Sequence, residues 1–312
     1  MSSDPANDRT ARPALLPVPL IVNPAAGRGA AGRHGESMCR LLEAAGRPVA
    51  LRYSREPGHM EALLREAAAA GSGEVLVAGG DGTVREAVNA ILGQRLDLAL
   101  GVIPAGTGND FVKSLGTPRS WRNACTALAV ALAERRRRRI DVGQCNGEWF
   151  ANSVGIGLDG VVVRAAERVR WLPGLLAYPA ALALVLRSGV AAAEVRIEAD
   201  GRRLQLPASM VIACNGAWFG GLFHIAPPAS LDDGLLSVVV AAPLSRRRVL
   251  TLVPQAVRGT HMSAPEAMLF SVRELAVETS VPLPLEADGE AAAAPVTRLE
   301  IRCLPAALSV VA

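Results

Sequence analysis

Lysine is almost missing from this chain. Lys113 is the single one, and the other strong cations are all arginine. No GxxxxGK[ST] phosphate loop is present, which excludes a P-loop enzyme. Cysteine is sparse: Cys39, Cys125, Cys145, Cys214 and Cys303 are odd in number, scattered, and without CxxC or Cys/His metal spacing. That pattern argues against a disulfide framework and predicts a reduced, cytoplasmic protein. No apolar run is long enough to cross a bilayer. The most apolar late stretch, Trp171 to Leu186, is broken by Pro173, Gly174 and Pro179. The first residues, to about Pro13, are polar and proline-rich, with no apolar core of a signal peptide, and are expected to form a disordered lead-in. The net charge of +4 is modest and permits an anionic partner without demanding one. Nucleic acid is not expected.

What is present begins with Val75-Leu-Val-Ala-Gly-Gly-Asp-Gly-Thr83. Val75 to Ala78 reads as a buried parallel strand. Gly79, Gly80 and Gly82 break it. Thr83 is the expected N-cap of the next helix, with Glu86 completing a capping box. Val84, Ala87, Val88, Ile91 and Leu92 then repeat at helical spacing. Strand, glycine turn and helix together aim free N–H groups and the positive end of a helix dipole at one point, where an anion binds well. Asp81 sits inside that cradle. A carboxylate there repels phosphate unless it holds a cation, orients a nucleophile or takes a proton.

The same unit occurs twice more. Leu15 to Val22 runs into Asn23-Pro-Ala-Ala-Gly-Arg-Gly29, and Leu96 to Ile103 into Pro104-Ala-Gly-Thr-Gly-Asn-Asp110. A strand over Arg47 to Tyr53, a helix from Pro57 to about Ala70 and a helix from about Trp121 to Glu134 complete the set. The predicted first domain, residues 14–139, is α/β with a parallel sheet, and its ligand belongs at the carboxyl ends of the strands. Lys113 is expected to be exposed. The Arg135 to Arg139 run reads as a solvated helix end or, alternatively, as a patch facing an anionic membrane together with Trp171 to Leu176.

Residues 140–305 change in texture. Asn146-Gly and Asp200-Gly201 mark hairpins between short alternating strands. Helical patterns cover about Val161 to Ser188 and Ser245 to Arg258. The expectation is a mostly antiparallel β-sandwich as a second domain. The last strand, about residues 306–312, is a candidate to return to the first domain.

Taken in order, Asn23-Pro-Ala-Ala-Gly-Arg, Gly79-Gly-Asp-Gly-Thr-Val-Arg-Glu and Ile103-Pro-Ala-Gly-Thr-Gly-Asn-Asp-Phe111 resemble the diacylglycerol kinase catalytic family, which includes bacterial lipid kinases and sphingosine kinases. The resemblance continues at Asn152-Ser-Val-Gly-Ile-Gly-Leu-Asp159, Leu231-Asp-Asp-Gly-Leu235 and Asp288-Gly-Glu290. It implies an ATP-dependent lipid kinase with ATP and substrate between two domains. Carried over, Asn23, Ser54, Gly80, Asp81, Gly82, Thr83, Glu86 and Thr107 line the ATP site. Asp233, with main-chain oxygens of Ser230 and Leu235, resembles a site for a structural Mg²⁺. Glu290 resembles the proton acceptor of bacterial relatives, and Asp81 the residue given that role in sphingosine kinases. The preferred assignment is Glu290 as base and Asp81 acting through the nucleotide's Mg²⁺. Arg85 departs from the family, where Asn is common. The implied partners are a lipid, an anionic membrane surface touched peripherally, and optionally a second copy of the chain. Two other readings stay open: a soluble NAD kinase-like enzyme, which shares the Gly-Gly-Asp-Gly-Thr motif, and a nucleotide- or lipid-binding regulator without catalysis.

Overall fold

The structure is a computed structural model that describes residues 16–56, 58–169, 172 and 177–312. The first part alternates β1 (Val18–Val22), α1 (Ala26–Ala44), β2 (Val49–Tyr53), α2 (His59–Ala69), β3 (Glu74–Gly79), α3 (Asp81–Gly93), β4 (Ala99–Pro104), α4 (Asp110–Leu115) and α5 (Trp121–Ala133). The strands pair in parallel in the order β2-β1-β3-β4. Each of β3 and β4 is apolar on both faces because helices cover both. Met60, Leu64, Val84 and Val88 fill one side of the sheet, and Met38, Leu42, Leu128 and Leu132 fill the other.

The second part contains β5 (Arg137–Cys145), β6 (Glu148–Phe150), β7 (Ser153–Gly157), α6 (Leu158–Arg168), α7 (Ala177–Ser188), β8 (Ala193–Ala199), β9 (Arg202–Ala208) and β10 (Met210–Cys214). After these come β11 (Trp218–Phe219), β12 (Phe223–His224), β13 (Leu236–Ala241), α8 (Arg246–Arg258), β14 (Ala267–Val272), β15 (Glu274–Leu283), β16 (Leu285–Ala287), β17 (Glu290–Ala291) and β18 (Val296–Val311). One antiparallel sheet runs β14-β13-β10-β7-β16-β17. The other carries β18-β15-β8-β9, with β5 and β6 alongside. Val154, Ile156, Val195, Ile197, Val238 and Val277 pack between the two. The chain is thus an N-terminal α/β unit with a parallel sheet and a C-terminal, mostly antiparallel β-sandwich. Both predicted hairpin turns adopt left-handed backbone at their two central residues, Asn146-Gly147 and Asp200-Gly201, the geometry that a two-residue turn between twisted strands requires.

Strand β18 joins the two parts. The predicted strands at Arg298 to Cys303 and Leu308 to Val311 are one element of 16 residues. Its first half pairs with β15, and its last residues pair in parallel with β4 through Val310 and Leu100. The β5 register shifts between Leu304 and Leu308, where Ala306 has φ 49°. Asp141 holds that bend by accepting the Ala306 N–H at 2.7 Å.

Three local expectations are corrected. Thr83 does not cap α3: the helix begins at Asp81 with Gly80 as its N-cap. Glu86 accepts instead from Gly58 N–H at 2.9 Å. The arginine run is not a helix end, since Arg137, Arg138 and Arg139 already belong to β5. Arg136, Arg137 and Arg138 pair with Glu134, Glu74 and Asp232, and Arg139 donates to Ala306 O. The predicted start of α2 at Pro57, and most of the Trp171 to Leu176 segment, lie outside the described residues.

Lys113 is the third correction. Its side chain is only 7% exposed, and Asp110, its partner at 2.8 Å, only 10%. The ammonium also donates to Gly221 O at 2.6 Å, and Asp110 accepts the Gly221 N–H at 2.8 Å. The pair therefore ties α4 of the first part to the β11–β12 hairpin of the second. Removing one partner of a buried ion pair strands the other charge, at about 3–5 kcal/mol. Lys113→Met is expected to lower unfolding free energy by about that much in urea titration. A loss below about 1 kcal/mol would show that the pair carries no structural load.

Candidate active site

The three glycine turns meet at the carboxyl ends of β1, β3 and β4, and they touch. A Cβ on Gly27 would stand 2.3 Å from Ala105 O, and one on Gly106 would stand 2.3 Å from Gly80 Cα. Only glycine permits this approach, so backbone rather than side chains forms the floor. Asn23 stitches the first turn to the second: its Nδ2 donates to Thr83 Oγ1 at 2.9 Å, while its Oδ1 accepts Ala25 N–H. In front of the turns lies an open cleft of ≈ 890 Å³. Asn23, Ser54, Gly80, Gly82, Thr83, Glu86 and Glu290 all line it. No described side chain caps α3, and its N-terminus faces this space.

Asp81 and Thr107 do not line the cleft. Thr107 is exposed at the tip of the third turn. Asp81 lies behind the floor, half-buried, where its Oδ1 accepts Phe111 N–H at 3.1 Å. Burial, and then the neighbouring Asp110 carboxylate, push Asp81 up from 3.8 to about 7.

The second part of the chain supplies the opposite wall. Asp288 is buried and accepts three backbone N–H groups, from Ala151, Asn152 and Ser153, at 2.8, 2.8 and 3.0 Å. Burial outweighs those bonds and raises its carboxyl to about 6. This pins the Asp288-Gly289 turn, whose φ values are positive at both residues, onto the start of β7. Glu290, exposed, then projects over α3: a Cβ on Gly82 would stand 2.2 Å from its Oε1. Its Oε2 accepts from Arg85 Nη1 at 3.0 Å, and Arg85 Nη2 holds Glu148 at 2.7 Å. Sequence alone carried no signal for Glu148, which sits in an ordinary hairpin.

Asp233, Ser230 and Leu235 lie elsewhere, in the loop before β13. Asp233 Oδ1 accepts Leu235 N–H, Ser230 Oγ donates to Asp232, and buried Asp141 accepts Gly234 N–H at 2.6 Å. Among the described residues no group of three His, Cys, Asp or Glu side chains could hold a metal. Any ion in that loop would depend on Asp233 and main-chain oxygens.

Behind the sandwich wall an apolar cavity is lined by Val162, Leu182, Ile212, Phe219, Val239 and Val249, with Asp159 and His261 at its margin. Burial lowers His261 below the usual imidazole range. The Asp159 carboxyl lies over Gly155, beside Glu286 on the paired strand, and neither Asp159 oxygen has a partner. Burial raises Asp159 to about 7. Burial and then Asp159 raise Glu286 well above the usual carboxylate range.

Fold and cleft together define a class: proteins with a glycine-built anion cradle facing a β-sandwich. Residues 17–145 match the family model for the diacylglycerol kinase catalytic domain, and residues 152–312 match that for the YegS C-terminal NAD kinase beta sandwich-like domain. A diacylglycerol kinase of Mycobacterium tuberculosis is 32% identical over 300 residues, covering 94% of each chain. One from Bacillus subtilis is 29% identical over 272 residues, covering 87% of this chain and 88% of the other. A solved diacylglycerol kinase structure from Bacillus anthracis superposes with a TM-score of 0.77 at 25% identity, covering 95% of this chain and 96% of that one. This chain belongs to the diacylglycerol kinase family of lipid kinases.

The buried carboxyls predict a pH dependence. Asp81, Asp159 and Asp288 hold protons in the folded state up to about pH 6–7, whereas the unfolded chain releases them near 3.8. The folded protein therefore binds more protons between those limits. The associated stability is complete below about pH 4 and is lost as pH rises through 6–7. Ligand-free protein is expected to be less stable to urea at pH 8 than at pH 5, and Asp159→Asn is expected to flatten that difference. Equal stability of wild type at both values would contradict the assignment.

Proposed function

We propose that the chain transfers the γ-phosphoryl group of ATP to the hydroxyl of a diacylglycerol-like lipid, acting at a membrane surface. The observation that carries this reading is the juxtaposition of a backbone-lined phosphate cradle with a carboxylate, Glu290, delivered from the domain that also holds the apolar cavity. The donor set fits the group. Glycine turns and the α3 N-terminus receive phosphate oxygens through N–H groups. Asn23, Ser54 and Thr83 offer polar atoms for ribose or phosphate. Mg²⁺ suits carboxylate and phosphate oxygens, so Asp81, which stands behind the cleft floor beside the third glycine turn and is raised to about 7, would have to release its proton and meet the nucleotide's ion from that side, where the ion would neutralise developing charge. An ion in the 230–235 loop would be structural.

Glu290 is the general base in this reading. It is exposed on the cleft, and Oε1 is not the oxygen engaged by Arg85. It would take the acceptor hydroxyl's proton as the oxygen attacks phosphorus, and ADP would depart from the cradle side. The apolar cavity would take an acyl chain. Its lining suits hydrocarbon and disfavours a dinucleotide such as NAD. Membrane action follows from the acceptor's insolubility; the arginine run lends it less support, because Arg136 to Arg139 already have partners within the chain.

The direct test is a panel of lipid acceptors with labelled ATP, diacylglycerol among them. Label in a phospholipid product is expected; label in none of the lipids, with transfer to NAD, would overturn the reading. Two variants separate the carboxylates. Glu290→Gln is expected to lower kcat by about 10²–10⁴ and to leave Mg·ATP affinity nearly unchanged. Asp81→Asn is expected to weaken Mg·ATP binding and shift its Mg²⁺ dependence. Calorimetry beside single-turnover rates checks both. Normal turnover by Glu290→Gln with a dead, normally binding Asp81→Asn would reverse the two roles.

A further inference from the structure

Arg85 occupies an unusual place for a cation. It lies one turn into α3, near the helix's positive end, where a carboxylate would be the favoured charge. It lines the cleft beside the glycine cradle. Its guanidinium reaches two carboxylates from different segments, Glu148 at 2.7 Å and Glu290 at 3.0 Å, one on each terminal nitrogen. The arginine side chain is mostly buried, at 23% exposure, whereas Glu148 and Glu290 are 73% and 54% exposed. The planar fork thus forms the fixed element, and the two carboxylates are held against it.

The consequence for Glu290 is geometric. Glu290 lies two residues beyond the Asp288 anchor, in a two-residue strand, and its side chain is long and exposed. The anchor fixes its backbone but leaves its side-chain torsions free. Arg85 removes that freedom: with Oε2 on Nη1, Oε1 comes to lie directly over Gly82. A side chain at Gly82, in the first turn of α3, would collide with that oxygen. The glycine and the arginine therefore define a single seat for the carboxylate, above the phosphate cradle.

We infer that Arg85 is a positioning residue for phosphoryl transfer, seating the Glu290 carboxylate at the cleft, with Glu148 as the second anchor of its guanidinium. The inference rests on the assignment of Glu290 as the base. It makes Arg85 act on the rate of transfer through Glu290 and not on nucleotide binding. Displacing a base by about 1 Å can cost about 10²-fold in rate.

The test is a double-mutant cycle on the full chain, with Mg·ATP affinity by calorimetry and single-turnover transfer to diacylglycerol in mixed micelles. Arg85→Gln is expected to lower the transfer rate by about 10–100-fold and to leave the Mg·ATP dissociation constant within about threefold. In a Glu290→Gln background the same substitution is expected to cost less than about threefold, because the group it positions is gone. Arg85→Lys should recover part of the rate, since an ammonium reaches one carboxylate but not both. Normal Mg·ATP binding by the folded variants excludes misfolding as the cause of any rate loss. A rise of tenfold or more in the dissociation constant, or a full Arg85→Gln penalty in the Glu290→Gln background, would make Arg85 a phosphate contact and overturn the inference. Wild-type protein that labels no lipid would instead overturn the kinase reading beneath it.

Discussion

The second half of the site hangs on one buried carboxylate. Asp288 accepts the N–H groups of Ala151, Asn152 and Ser153, and its own N–H donates to Ser153 O, which fixes the 288–290 turn to the start of β7. These N–H groups stand where the β6–β7 connection leaves sheet pairing, so they need an acceptor. Asp288 needs donors because it is buried. Each solves the other's problem, and the result is that two segments about 135 residues apart in sequence share one corner. Glu290 inherits its place from that corner, and Arg85 reaches it from the opposite wall.

The cradle side of the cleft is built differently. With Lys113 committed to Asp110 and Gly221, no lysine is left to meet phosphate charge. The cleft's cations are Arg55 and Arg85, and Arg85 is held by two glutamates. In the proposed reaction, backbone N–H groups, the α3 N-terminus and a nucleotide-borne ion would carry most of the neutralisation. That explains why three glycine turns converge so closely that a methyl group on Gly27 or Gly106 would strike neighbouring backbone. A dipole-based cradle works only when the phosphates come near, and only glycine allows it.

Much of this was legible in the chain itself. The strand-turn-helix repeats, both Asn-Gly and Asp-Gly hairpins and the apolar two-faced strands follow from local periodicity and turn chemistry, and they form as expected. Misread features were those decided by distant partners. Thr83 fits a capping pattern, yet Gly79 and Asn23 surround it, and its hydroxyl is taken by the Asn23 amide. Lys113 looks like a surface residue on a short helix until Gly221, 108 positions later, closes over it. The arginine run resembles a helix end, but β18 recruits it into a sheet from the far end of the chain. Glu148 carries no local mark at all, because its meaning lies in the arginine it faces.

Strand β18 is what makes these distant meetings reproducible. A cleft between two separately folded units would vary with their hinge angle, and a base seated on an opposing wall would then wander. Here one 16-residue strand is hydrogen-bonded to β15 and β5 along its length and to β4 at its end. The parallel sheet that carries the cradle and one sheet of the sandwich are consequently continuous through shared backbone hydrogen bonds. The Lys113–Asp110–Gly221 contact adds a second tie on another edge, and Arg85 with Glu290 a third across the cleft. The β18 tie lies away from the cradle, whereas the Lys113 tie adjoins it, because Asp110 ends the third glycine turn. The third crosses the cleft itself, joining α3 to the turn that carries Glu290.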